Sequence, residues 1–191
     1  MSQRESMAIR IHEDPVFFRE AVNFTAAMTG FMHRLIEKDY YCTVLLDYLA
    51  AGVGLVFRGG TSLAKVHTDF YRLSEDLDFV IPMSIEAKRT ERSKQAKGLK
   101  EVVVALPQRL PVIRMVRPLK GANDCTQYNA ITGYSSMFGN PVEMIKIEVG
   151  LREPLRKDML AGPARTLLLD PVSGQPLVLP VNVSCLSKVE A

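Results

Sequence analysis

Residues 54–81 constrain the fold more than any other stretch of the chain. Residues 54–58, Gly-Leu-Val-Phe-Arg, form a short apolar run bounded by glycines, as a buried strand requires. Gly59 and Gly60 break it, and residues 61–66 read as a short helix entered directly from that turn. After a polar loop, Leu77, Phe79 and Ile81 alternate with Asp76, Asp78 and Val80. A period of two marks a strand with one apolar face and one polar edge.

The flanks supply helices first and strands afterwards. Asp14 caps a helix whose first turn holds Pro15, where the missing N–H costs nothing, and Phe17, Ala21, Phe24 and Met28 recur at helical spacing up to Gly30. Residues 31–50 continue as one or two helices with Leu35, Leu45, Leu46 and Leu49 on the apolar face. Pro82 ends the alternating strand, and Ser84 is placed to cap a charged helix running to about residue 105 with Ala96, Leu99, Val103 and Leu106 as its seam. Beyond Pro107, residues 112–116, 126–134, 142–149, 166–169 and 177–183 read as strands, and the Pro/Gly-rich stretch 162–180 as a connection within one unit. The order predicts an α+β (mixed α/β) architecture, with a helical segment at 1–51 and a core at 52–191.

Composition narrows the class. With 47% hydrophobic residues and 24 Lys+Arg against 21 Asp+Glu in 191 residues, the chain folds rather than staying disordered. Its length buries a core without a disulfide or metal staple, and no dense basic stripe demands a nucleic-acid partner. Cys42, Cys125 and Cys185 are widely spaced and read as reduced core thiols. The first residues carry Arg4, Glu5 and Arg10 where a signal peptide would be apolar, and the longest apolar run, 49–57, is about half a membrane span. A cytoplasmic protein without a membrane segment is expected.

The chemistry is concentrated in the same 54–81 stretch. Gly59 and Gly60 let backbone approach a ligand, the helix start aims N–H groups at it, and Thr61, Ser62 and Lys65 add a hydroxyl and a cation. A phosphate suits such a corner, although the pattern matches neither a Walker A loop nor GxGxxG, and a tight turn with a capping Thr is the structural alternative. Asp76 and Asp78 project from one face of their strand. Two carboxylates so close suit Mg²⁺ or Mn²⁺ held with substrate phosphates, against the alternative of a solvated strand face. Glu148 shares a strand face with Met144 and Lys146 and would complete a metal set with Asp76 and Asp78 if the strands are neighbours; Glu143 lies on the other face. The predicted reaction is attack of an acceptor hydroxyl on the α-phosphate of a nucleoside triphosphate. A DxD glycosyltransferase would also use paired carboxylates but leaves the glycine corner unexplained.

Gly-Gly-Thr-Ser-Leu-Ala-Lys at 59–65, followed by Arg-Leu-Ser-Glu-Asp-Leu-Asp at 72–78, resembles the signature of the AbiEii/AbiGii-type nucleotidyltransferase toxins, within the DNA polymerase beta-like superfamily. Glu37, Lys38, Asp39, Tyr40 and Tyr41 upstream and Lys146, Ile147 and Glu148 downstream also resemble that family's pattern. The resemblance implies a mixed sheet flanked by helices, Mg²⁺ dependence, a nucleoside triphosphate substrate and a cognate antitoxin. Through the related MenT toxins it implies an RNA acceptor such as the 3′ end of tRNA. On matching positions Asp76, Asp78 and Glu148 would hold metal, and Gly60, Ser62 and Lys65 the triphosphate, with Gly59 and Thr61 of the corner expected beside it. The family carries a further helical region; residues 184–191 read as its capped first turn, so the chain is expected to stop short of that region. A module that binds nucleotide or antitoxin without catalysis is the alternative function.

Other charged residues have structural as well as functional readings. Arg58 and Arg72 would contact phosphate or acceptor, or pair with Glu75. His12, His33 and His67 are scattered; His67 follows the glycine-corner helix, but a surface role fits it better. Lys88, Arg89, Arg92, Lys94, Lys97 and Lys100 form either a solvated helix face or a patch for an RNA backbone.

Overall fold

A computed structural model describes residues 9–51, 54–153 and 159–189. Gly52, where the sequence changes character, and residues 190–191 of the expected terminal turn lie outside them. Helix α1 (Pro15–Thr29) starts where Asp14 Oδ1 accepts from the Val16 and Phe17 amides and ends at Gly30 in the left-handed conformation, φ 76°. Helix α2 (His33–Ala50) follows almost directly. Strand β1 (Val56–Arg58) leads into a one-turn helix α3 (Gly59–Ser62) that widens into a π turn at Leu63–His67. Then come β2 (Leu77–Pro82), α4 (Arg89–Gln95), α5 (Lys97–Arg109), β3 (Arg114–Ala122), β4 (Gln127–Ser135), β5 (Val142–Arg152), β6 (Leu160–Ala164) and β7 (Val181–Cys185).

The strands form one mixed sheet in the order β3-β4-β5-β2-β1-β7-β6. The α+β architecture with a helix-flanked mixed sheet is therefore as expected. β2 runs parallel to β5 and β1 parallel to β7, while β1–β2, β3–β4, β4–β5 and β6–β7 are antiparallel. Alternation decides the faces. Tyr128, Ala130, Thr132 and Tyr134 of β4 and Ile145, Ile147 and Val149 of β5 are buried. Tyr41 of α2 stacks on Tyr134 at 3.9 Å between centroids, and Lys100 of α5 lies over the Tyr128 ring, so both helices cover that face. On the other face Met144 is 51% exposed.

Several expectations give way to pairing. The charged helix does not start at Ser84, whose Oγ accepts only from the Glu86 amide; α4 begins at Arg89 and yields to α5 at Ala96. The strand expected at 166–169 is β6 at Leu160–Ala164, where Gly162 and Pro163 are tolerated because β6 is an edge. Ser184 and Cys185 belong to β7, not to a helical turn, because the Leu186 amide bonds to Phe57 O and keeps this stretch extended beside β1. Cys42 and Cys185 are buried free thiols, burial pushing Cys42 up to about 12, whereas Cys125 sits in the β3–β4 turn at φ 63°. Among the described residues no helix is long and apolar enough to cross a membrane.

Candidate active site

One row of side chains crosses the open face. Arg58 of β1 lies opposite Asp78 of β2, Asp78 opposite Glu148 of β5, and Glu148 opposite Asn129 of β4. Directly opposed residues share a face, so parity alone puts Asp78 beside Glu148. The Asp78 carboxyl is half-buried and its pKa is raised, first by burial and then by the Glu148 carboxylate, with Asp76 contributing in the same direction and Arg58 opposing. Glu148 is held by Lys146 Nζ at 2.8 Å and, with its amide oriented to suit both neighbours, by Asn129 at 3.0 Å. Asn129 is a site residue that the sequence does not single out; only its register beside Glu148 reveals it.

Asp76 stands just before β2, and its carbonyl accepts from Thr61 Oγ1. The glycine corner therefore closes onto the acidic strand. Gly59 has φ 78°, and a Cβ there would collide with the Asp78 carboxylate; a Cβ on Gly60 would come within 2.8 Å of Arg72 Nη2 and 3.1 Å of Ser74 Oγ. Only glycine fits at 59, for conformation and for space.

The five residues expected around the triphosphate separate. Gly59 and Gly60 border the acidic strand, with Arg72 and Ser74 beside them. Thr61 and Ser62 are buried, Thr61 tying the corner to the Asp76 backbone and Ser62 Oγ finding no hydrogen-bond partner among the described residues. Lys65 is fully buried. Its ammonium pairs with Asp39 Oδ1 at 2.6 Å, donates to Thr43 Oγ1 at 2.7 Å and reaches the carbonyls of Asp39 and Arg165. These contacts all lie inside the protein, so a phosphate would reach the Lys65 ammonium only by displacing one of them.

Glu75 takes its partners from α2. Arg34 and Lys38 of α2 reach it at 2.9 and 2.7 Å, not Arg58 or Arg72, and together hold its carboxyl down at about 2. Lys38 and Arg34 also face Glu143, on the covered side as parity requires. Asp39 accepts from Thr166 Oγ1 and the Leu167 amide, and Glu37 from Ser136 Oγ and the Met137 amide. Thus the buried run Glu37, Lys38 and Asp39 ties α2 to the β4–β5 turn, to Glu75 before β2 and to the stretch after β6. His67 Nε2 lies 3.0 Å from the Leu186 carbonyl.

Residues 46–190 match the family described as nucleotidyl transferase AbiEii toxin, type IV TA system. The chain belongs to that family. Two solved structures are similar in part: JHP933 from Helicobacter pylori, at 19% identity with a TM-score of 0.40, and a protein of H. pylori described as a candidate nucleotidyltransferase, at 22% and 0.39. Each match covers 74% of this chain but 48% and 50% of the other, so the chain spans about half their length. No curated protein matches it. Among the described residues of this AbiEii member, no three His, Cys, Asp or Glu side chains converge as ready-made metal ligands.

Proposed function

We propose that the protein is a nucleotidyltransferase, the toxin of a toxin–antitoxin pair, which moves a nucleoside monophosphate from a nucleoside triphosphate to an acceptor hydroxyl. The observation that carries this is the facing of Asp78 and Glu148 in register beside the Gly59–Gly60 corner. The acceptor is an RNA end, such as the 3′ hydroxyl of tRNA, or a protein hydroxyl, and an antitoxin protein is the cognate partner.

The donor set fits Mg²⁺ or Mn²⁺. Asp78 and Glu148 present two carboxylates in register on one face, and Mg²⁺ characteristically takes one or two carboxylates together with substrate phosphates instead of a complete protein cage. Asp78 and Glu148 would hold the cation together with the phosphates, and Asp76, which does not already converge with them, would turn in to join. When bound, it supplies positive charge at the phosphates and makes the acceptor hydroxyl more acidic.

The chain's own residues do the rest. The Gly59–Gly60 backbone leaves room for phosphate oxygens, with Arg72 and Ser74 as donors beside them. Arg58, opposite Asp78, offsets charge as it builds on the α-phosphate. The acceptor oxygen bonds to the α-phosphorus while the bond to the β-phosphate oxygen breaks, and pyrophosphate departs. Asp78, in register with Glu148 beside the glycine corner, takes the hydroxyl proton. Lys146 and Asn129 keep the Glu148 carboxylate aimed across β5 toward β2.

Incubation with Mg²⁺, labelled nucleoside triphosphates and total RNA or cell lysate is expected to label one acceptor. Asp78→Asn should lower the rate by at least about a hundredfold. Absence of transfer from any nucleotide, or transfer unchanged in Asp78→Asn and Asp76→Ala, would overturn the assignment. Tight triphosphate binding without turnover would favour a non-catalytic binding module.

A further inference from the structure

Strand β3 carries Arg114, Arg117 and Lys120 at three-residue intervals. In a regular strand that spacing would turn Arg117 to the face opposite the other two. Pairing with β4 is interrupted twice, between Met115 and Arg117 and between Arg117 and Lys120, and each time β3 advances one residue more than β4. Each inserted residue reverses the alternation. Arg114 therefore lies opposite Gly133, Arg117 opposite Ile131 and Lys120 opposite Asn129. These β4 positions share the face of Asn129, whereas Met115 and Leu119 pack against the core. The two bulges convert an alternating set of cations into a single row.

That row belongs to the face of the acidic pair. Lys120 extends the line Asn129, Glu148, Asp78, Arg58 by one strand, about 10 Å from β5 at the usual strand spacing. The three cations are exposed on the outermost strand, without an acidic partner among the described residues. Their β4 partners are two residues apart, so the cations step along the sheet by about 6.7 Å each, comparable to the separation of successive phosphates in an extended polynucleotide. The more numerous cations of α4 and α5 lie behind the sheet. Lys100 sits on the Tyr128 ring, Lys97 faces Glu101 and Arg92 bonds to the Asp124 carbonyl.

We propose that Arg114, Arg117 and Lys120 bind the backbone phosphates of a single-stranded polynucleotide whose terminal hydroxyl reaches the Asp78–Glu148 pair. The proposal rests on the nucleotidyl-transfer reading of that pair and selects a polyanionic acceptor over a protein. Phosphate contacts of this kind position a strand without reading its sequence, so a spread of sequences should bind.

The test is fluorescence anisotropy with a labelled single-stranded oligoribonucleotide, titrated at several salt concentrations, beside a separate titration of a labelled nucleoside triphosphate. Arg114→Gln, Arg117→Gln and Lys120→Gln combined should weaken oligonucleotide binding at least about tenfold and flatten the log K against log salt slope by about two, at roughly 0.7 per lost contact. Triphosphate binding should not change. Lys94→Gln with Lys97→Gln, on the covered side, should alter neither. An unchanged oligonucleotide affinity and slope overturns the proposal, as does loss of triphosphate binding with oligonucleotide binding kept, which would make the row a nucleotide site. If the triple variant melts early, the single Arg117→Gln and Lys120→Gln variants each carry the same test at about 0.7 of slope. These readouts need no turnover, so failure to detect transfer leaves them intact, and transfer-competent protein with unaltered oligonucleotide binding overturns the row alone.

Discussion

Lys65 and Asp39 form an ion pair from which solvent is excluded, with side chains 0% and 3% exposed. Lys65→Met leaves the Asp39 carboxylate buried with no cation, an arrangement that costs about 3–5 kcal/mol. Urea denaturation should show the midpoint falling accordingly, and adding Asp39→Asn should recover part of the loss because no charge is then stranded. Unchanged stability with lost triphosphate affinity would instead return Lys65 to the nucleotide. Asp78 behaves oppositely. Its pKa is raised on folding, so the folded state holds the proton more tightly than the unfolded chain, and stability from this group falls as pH rises through the raised value. Asp78→Asn should therefore melt higher than the native protein at neutral pH, the gap closing below about pH 3.8, even as transfer is lost. Melting curves across that range decide it; a variant less stable at neutral pH would refute the sign. The shared face of Asp78 and Glu148 is legible in the sequence because parity is local. The side to which Lys65 points is not, since distance along a helix does not say which neighbour covers it.

At the scale of elements, α2 does more than fill a groove. Arg34, Glu37, Lys38 and Asp39 fix the loop before β2, the β4–β5 turn, the π turn and the stretch after β6. Glu75 is the member that reports on this network, because Arg34 and then Lys38 depress its pKa to about 2. A depressed carboxylate contributes stability above its unfolded value, lost as pH falls through the folded one. Glu75→Gln should thus destabilise the protein at neutral pH by about 1–2 kcal/mol, discounted from a fully buried pair because Glu75 is 42% exposed. The difference should vanish between roughly pH 4.5 and pH 2, and a gap independent of pH would show that packing, not charge, is lost. Helices α1 and α2 are legible through caps and spacing, and β2, β4 and β5 through alternation. The remainder of β3 is not, because Pro118, Gly121 and two bulges erase any period and only its neighbour keeps it extended. The same holds for β6, whose glycine and proline look like a loop until β7 pairs with them.

For the molecule as a whole, the question is whether residues 1–51 form a separable helical unit beside a core at 52–191. The apolar cluster runs without a gap from Phe18, Ala21 and Val22 of α1 through Tyr40, Tyr41 and Leu45 of α2 to Phe79, Tyr134 and Ile147 of the sheet. Polar anchors cross the same boundary at Lys65–Asp39 and Lys38–Glu75. Removing α2 would expose the apolar face of β4 and β5 and leave Lys65 and Glu143 buried without counter-charges, a combined cost beyond the 5–15 kcal/mol that holds a domain folded. Unfolding should therefore be one transition, with calorimetric and van't Hoff enthalpies equal and a heat-capacity change of about 2.5 kcal/mol/K for a chain of this length. A fragment of residues 52–191 should not fold alone, and adding a peptide of residues 9–51 should restore its near-ultraviolet circular dichroism. Two separate melting transitions, or a cooperative melt of the fragment by itself, would show that the helices are an independent unit and that α2 merely decorates a self-sufficient catalytic sheet.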